Sequence, residues 1–217
     1  MTTLTINNIE QFLSSIYSVS HKSQIEKQDD IIIDHVKIRL LSGMIPVKLN
    51  KVEVKESAVH GLGLFAKTNI LKGELITLYP GDIIEFTPNG DRDQANHLVR
   101  RSCSLRSQEQ FANIDESSIN YDYAFTLDKF YSIIGNPYFI NDSSYLGHFI
   151  NDSSVCYHNE ESIRDYLSNI NTKNNCKFQI LCGLHVAIVA TKNINIGEEL
   201  FISYGIKYWS MYNKTSS

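Results

Sequence analysis

The chain has 217 residues, of which 42% are hydrophobic and 20% charged, with a formal net charge of −4. That length and balance suffice for one substantial hydrophobic core and exclude a disordered chain. The mild acidity excludes a general grip on nucleic acid, which needs a basic face, and suits a basic partner better.

In chain order, residues 6–20 read as a helix: Asn7 or Asn8 can cap it, and Ile9, Phe12, Leu13, Ile16 and Tyr17 recur at three- and four-residue steps. Ile31–Ile33 and Val36–Leu41 read as short strands, so residues 1–50 form a small helical and β leading subdomain. From Val47 onward the chain is β-rich. Val47/Leu49 and Val52/Val54 alternate, Gly61-Leu62-Gly63 turns, Leu64-Phe65-Ala66 resumes a strand, and Leu75–Tyr79 is another before the turn at Pro80-Gly81-Asp82. Residues 88–120 are polar, with helix-like patches around Gln94–Arg101, and Tyr121–Leu127 is an aromatic strand. Residues 153–175 read as a polar surface insertion. Leu184–Thr191 is an apolar strand, Leu200–Tyr204 the last strand, and a short aromatic tail follows.

No apolar run approaches the ~20 residues of a bilayer span. The opening Met1-Thr2-Thr3-Leu4 has no basic or apolar leader, so a soluble intracellular protein is expected. The cysteines at 103, 156, 176 and 182 are too irregular for a disulfide scaffold. A zinc site from Cys156, His158, Cys176 and Cys182 is the minor reading, and free thiols are the expected one. Gly61-Leu62-Gly63 is not a dinucleotide fingerprint, since the third glycine is missing and a strand follows. There is no Walker loop, no HExxH pair and no Gly-x-Ser-x-Gly elbow.

Four segments taken in order are more specific. They are His60-Gly61-Leu62-Gly63-Leu64-Phe65-Ala66 with Gly73-Glu74; Tyr79-Pro80-Gly81; Gly147-His148-Phe149-Ile150-Asn151-Asp152-Ser153; and Ala190–Ile194 with Gly197-Glu198-Glu199-Leu200-Phe201-Ile202-Ser203-Tyr204-Gly205. This ordered set resembles the SET-domain protein lysine methyltransferases over residues 51–209, with insertions at about 88–120 and 153–175 and a tail at 210–217. The resemblance implies a mainly β fold with short helices, its small sheets wrapped in a pseudoknot. It also implies S-adenosylmethionine as co-substrate, no metal, and a lysine-bearing protein as substrate, a histone tail first among them. A nuclear location would follow from a histone substrate.

The family's roles carry over position by position. Leu62, Gly63, Leu64 and Phe65 would meet the methionine part of the donor; His148, Asn151 and Asp152 would hold it; Trp209 would stack on the adenine. Tyr204 would be the active-site tyrosine, also touching the donor, and Tyr123 would line the lysine channel, with Tyr121 an equal candidate. Asn174-Asn175-Cys176 resembles the family's later asparagine. Phe139–Ser144 echoes Phe149–Ser154, and the lead-in Leu146-Gly147-His148-Phe149 selects Asn151 over Asn141.

This chain also departs from the family form Arg-Phe-x-Asn-His-Ser-Cys. His148 stands for the arginine, Asp152 for the histidine and Ser154 for the cysteine. Asp152 replaces a ring that can donate with a carboxylate that only accepts, and pairing with the donor's cationic groups is one use for it. Ile202 stands where many members carry Phe or Tyr, and the flanking cysteine clusters are absent. A catalytically silent SET-like module that binds a peptide or protein is therefore the alternative function.

Overall fold

The computed structural model describes residues 48–86, 95–101, 123–127, 131–135, 137–157, 159–181 and 185–215, together with Asn7 and Gln11, both helical. The expected strands at 31–33 and 36–41, Tyr121, Cys103 and Cys182 lie outside the described residues, as does nearly all of the expected 1–50 subdomain.

The described strands are β1 (Val52–Glu56), β2 (Leu62–Ala66), β3 (Leu75–Leu78), β4 (Asp82–Phe86), β5 (Ala95–Arg101), β6 (Ala124–Thr126), β7 (Tyr131–Ile134), β8 (Cys176–Leu181) and β9 (His185–Ala190). Helices α1 (Glu160–Lys173) and α2 (Ile206–Thr215) are the longer helical elements, and 3-10 turns cover Ser143–Tyr145 and Gly147–Phe149. The strands make a β1-β2 ribbon, a β3-β9-β8 sheet and a β5-β4-β7-β6 sheet, with antiparallel neighbours throughout. The protein is thus mostly strand in small sheets, with few helices, as expected.

The core joins distant described segments between Val52 and Ile202. Leu64, Ile76, Ile188 and Leu200 are each completely buried in one apolar cluster with Ile150 and Phe149. Each fully buried side chain of this kind stabilises the fold by about 1.5–3 kcal/mol. Thr77 sits buried among the apolar residues of β3. Its hydroxyl donates to the Ser143 carbonyl (3.1 Å) and accepts from the Leu146 amide (3.0 Å). A buried hydroxyl with both capacities filled is cheap to keep, and this one fixes the approach to Gly147–Asp152.

Two local expectations are corrected, and a third stretch gains a helix. Gln94–Arg101, expected to be helix-like, is strand β5 from Ala95 onward: pairing with β4 overrides local propensity. Leu200–Tyr204 is not a ladder strand. Its amides bond one by one to different places: Leu200 N to Leu64 O, Phe201 N to Asn175 Oδ1, Ile202 N to Asn151 O and Tyr204 N to Asp152 Oδ2. Finally, the polar stretch 153–175 contains α1. Its start is capped by Asn159, whose side chain accepts from the Ser162 amide (2.8 Å), with Glu160 and Glu161 in the first turn and Lys173 in the last.

Strand β9 opens with His185, whose imidazole is pushed down from 6.5 to about 4 by burial. The unfolded chain therefore takes up this proton more readily than the folded one. The stability tied to a neutral His185 is fully present above pH 6.5 and falls as pH drops towards 4, by up to about 1.4 kcal/mol per pH unit. Urea midpoints at pH 7.5, 5.5 and 4.5 should show this loss, and His185→Gln should flatten it. An unchanged slope in the variant would refute the assignment.

Candidate active site

One open cavity of about 730 Å³ lies where the ribbon, the Gly147–Ser153 segment and the chain end meet. Its wall is built from His60–Leu62, Tyr79, Tyr123–Thr126, Gly147–Asp152, Phe178, Ser203–Tyr204 and Lys207–Trp209, with Tyr157 and Tyr212 among the remaining residues. The size is that of a pocket for a ligand or cofactor, about 300–1,000 Å³.

Asn151 ties three of the four motif segments together. It is buried, and its Nδ2 shares its two N–H among the His60 carbonyl (3.1 Å), the Leu62 carbonyl (3.2 Å) and Glu199 Oε1 (3.3 Å). Gly63 makes this junction possible: a Cβ there would stand 2.2 Å from Glu199 Oε1 and 3.0 Å from the Ser57 Cβ. The glycine leaves room for Glu199 to come beneath the turn. Asn141, the echo, is exposed and lies off the cavity wall.

Tyr204 lies across the cavity wall. Its hydroxyl donates to the Ile150 carbonyl (2.8 Å), and its ring packs on Tyr208 (centroids 4.8 Å apart) and stacks on Trp209 (6.0 Å, 22° between planes). Burial, with Tyr208 and Asp152 nearby, pushes the phenol well above its ordinary value, so Tyr204 is neutral across the physiological range. At the aromatic end, Tyr123 and Tyr79 both pack against His148, each at 6.2 Å. Tyr79 donates its hydroxyl to the Tyr123 carbonyl (2.6 Å), and Phe125 and Phe178 close this end edge to face at 4.7 Å.

Asp152, also on the cavity wall, is held by the protein's own hydrogen-bond donors. Oδ2 accepts from the Tyr166 hydroxyl (2.6 Å), the Tyr204 amide (2.8 Å) and the Trp209 indole N–H (3.1 Å). Oδ1 accepts from the Ser154 amide (3.3 Å). Burial raises the Asp152 carboxyl, and these hydrogen bonds to its charged form oppose the rise. Tyr166 is pushed up to about 12 by burial and by the carboxylate it serves. Its single proton goes to Asp152, so its oxygen accepts from Ser203 Oγ (2.8 Å) and from the Gly205 amide (3.0 Å).

The structure therefore brings Leu62, Tyr123, His148, Asn151, Asp152, Tyr204 and Trp209 to one cavity. Gly63, Leu64 and Phe65 lie off its wall. Leu64 is buried in the core, and Phe65 lies beneath Lys55, whose Nζ is 5.9 Å from the ring centroid. Two contributors escaped the sequence reading. Tyr79 ends an expected strand and opens the second motif segment, but no site role was read for it. Tyr166 was hidden in the polar stretch 153–175, although Ile163, Tyr166, Leu167 and Ile170 behind the Asn159 cap carry helical spacing. Asn175 supports the site from behind, donating to the Glu199 carbonyl (2.9 Å) and accepting from the Phe201 amide (2.8 Å).

The SET domain family model matches residues 61–205, well over half of the chain. A search of curated proteins gives no match. Among solved structures, the chain is similar to the crystal structure of a putative histone methyltransferase from Plasmodium falciparum, with 18% identity and a TM-score of 0.40 over 75% of this chain and 99% of that one. The family match covers the segment that builds the cavity from the Gly61 turn to Gly205, and on that ground the chain belongs to the SET-domain family, whose members are generally lysine methyltransferases.

Proposed function

We propose that the protein methylates a lysine side chain of another protein, with S-adenosylmethionine as co-substrate, and that a histone tail is the first substrate to test. The observation that carries this reading is the Tyr204 hydroxyl, held by the Ile150 carbonyl in the wall of a mixed polar and aromatic cavity.

The residues present suit the co-substrate. Trp209 offers an aromatic face, the backbone around His60–Leu62 lies along the wall, and the cavity volume suits a ligand of this class. His60–Leu62, Asn151 and Trp209 would hold it. When bound, it supplies a methyl group on a positively charged sulfur.

The chain's own residues prepare the acceptor. A free lysine is neutral in only about one molecule in a few thousand at pH 7. The aromatic lining of Tyr79, Tyr123, Phe125 and Phe178 disfavours the ammonium form. Tyr204 donates its one O–H to the Ile150 carbonyl, so its oxygen accepts an N–H from the amine and turns the lone pair away from itself. Being neutral, it neither takes the lysine proton nor competes for the methyl. Methyl transfer is an in-line displacement, and alignment of this kind is its main catalytic resource.

The acidic balance of the chain suits a basic tail. Among the described residues no helix is long and apolar enough to cross a membrane. An intracellular location, nuclear with a histone substrate, completes the proposal.

Purified protein given labelled S-adenosylmethionine and core histones should label a histone. Tyr204→Phe should lose about a hundredfold or more of the rate while staying folded. Asn141→Ala should keep it. Donor binding by calorimetry without labelling would point to a protein substrate other than a histone. Folded protein that binds no donor would overturn the proposal and favour a silent peptide-binding module.

A further inference from the structure

Asp152 is a buried carboxylate, at 4% exposure. No described cation pairs with it. A carboxylate so placed is costly unless hydrogen bonds replace water. Here the three donors to Oδ2 come from three separate parts of the chain: Tyr166 from α1, Trp209 from α2, and the Tyr204 amide from the segment between. Tyr166, almost fully buried, adds bonds to Ser203 and Gly205 on either side of Tyr204. The pair thus grips residues 203, 204, 205 and 209. Trp209 in turn stacks on Tyr204.

We infer that Asp152 and Tyr166 are positioning residues that clamp α2 and Tyr204 onto the cavity, so that the inserted helix α1 is part of the site's support. Asp152 then acts as an internal anchor, its oxygens already occupied by protein donors. In a chain whose Asn-Asp-Ser segment departs from the family form, Tyr166 and the Trp209 indole supply the donors that a carboxylate requires.

Trp209 is the only tryptophan of the chain, so its fluorescence reports the clamp without reference to activity. Acrylamide quenching and anisotropy decay would be compared in wild type, Asp152→Asn, Asp152→Ala and Tyr166→Phe, with far-UV circular dichroism as the check of folding. Tyr166→Phe is the decisive variant, because it touches neither Trp209 nor the charge of Asp152 and keeps the buried ring. It should raise the quenching constant at least twofold and add a fast indole motion. Asp152→Ala should do more, and Asp152→Asn, which retains an acceptor, less.

Folded Tyr166→Phe protein with wild-type quenching and anisotropy would overturn the inference. So would an Asp152→Asn signal equal to that of Asp152→Ala, since rescue by an acceptor is what an anchor demands. The donor arm rests on the function proposed above: Tyr166→Phe should weaken donor binding about tenfold. If the wild type binds no donor, the proposed function fails while the fluorescence still decides the clamp.

Discussion

Asn151→Asp is expected to destabilise the protein by about 4 kcal/mol, the cost of an uncompensated buried charge. The change is nearly isosteric. It replaces the amide that donates to the His60 carbonyl, the Leu62 carbonyl and Glu199 with an acceptor, so that four oxygens converge without a proton between them. Asn151→Ala removes the same bonds without adding charge and should cost less, about 1–3 kcal/mol. Urea unfolding at pH 7 separates the two. The aspartate variant should also recover part of its loss as pH falls and the new carboxyl protonates, whereas the alanine variant should not. Equal stability of the two variants at pH 7 would show that the amide does not join the turn to the Glu199 segment. Asn141→Asp, on the exposed echo, should change stability by less than about 0.5 kcal/mol.

Gly81→Ala should be comparably severe for a different reason. Gly81 lies in the turn between β3 and β4 with φ of +154°. A Cβ there would stand 2.3 Å from the Ile134 carbonyl oxygen and 2.5 Å from Ile133 Cγ2. The first is backbone of β7, which pairs with β4 and cannot swing aside. Backbone strain and overpacking together should cost about 3 kcal/mol, which for a domain of this size lowers Tm by roughly 6–12 °C. Calorimetry checks this, and a Tm within 2 °C of wild type would show that the turn relaxes freely. Tyr79, two residues earlier, lines the cavity, so the variant should also disturb the aromatic end of the site.

What the sequence made legible follows from how each residue's surroundings are encoded. The alternation at Val52/Val54 and the apolar run at Leu184–Thr191 predict strands, and β1 and β9 lie there. The choice of Asn151 over Asn141 rested on the residues before it, and burial separates the two in the same sense. Tyr204 and His148 belong to motif segments while Tyr123 and Trp209 lie outside them, and all four line one cavity. Tyr166 was not legible as a site residue, because its function depends on Asp152 and on the chain end, neither of which is near it in sequence. Leu200–Tyr204 reads as a strand from its apolar alternation. Nothing local says that its amides will be shared among Leu64, Asn151, Asp152 and Asn175 instead of one neighbour.

That sharing has a consequence for how the molecule comes into being. The bonds from Asn151 to Leu62 and from Tyr204 to Asp152 close loops of 89 and 52 residues. Long closures of this kind lose chain entropy before they return contact energy, and they slow folding. During synthesis, a chain that has emerged only as far as β9 already carries the Gly61 turn, Asn151 and Asp152, but their partners Glu199, Tyr204 and Trp209 are still to come. The nascent protein therefore holds one wall of its cavity, with Leu64 and Ile150 waiting for Leu200. The cavity wall and this apolar cluster are completed together, once Glu199–Trp209 joins the segments made before it.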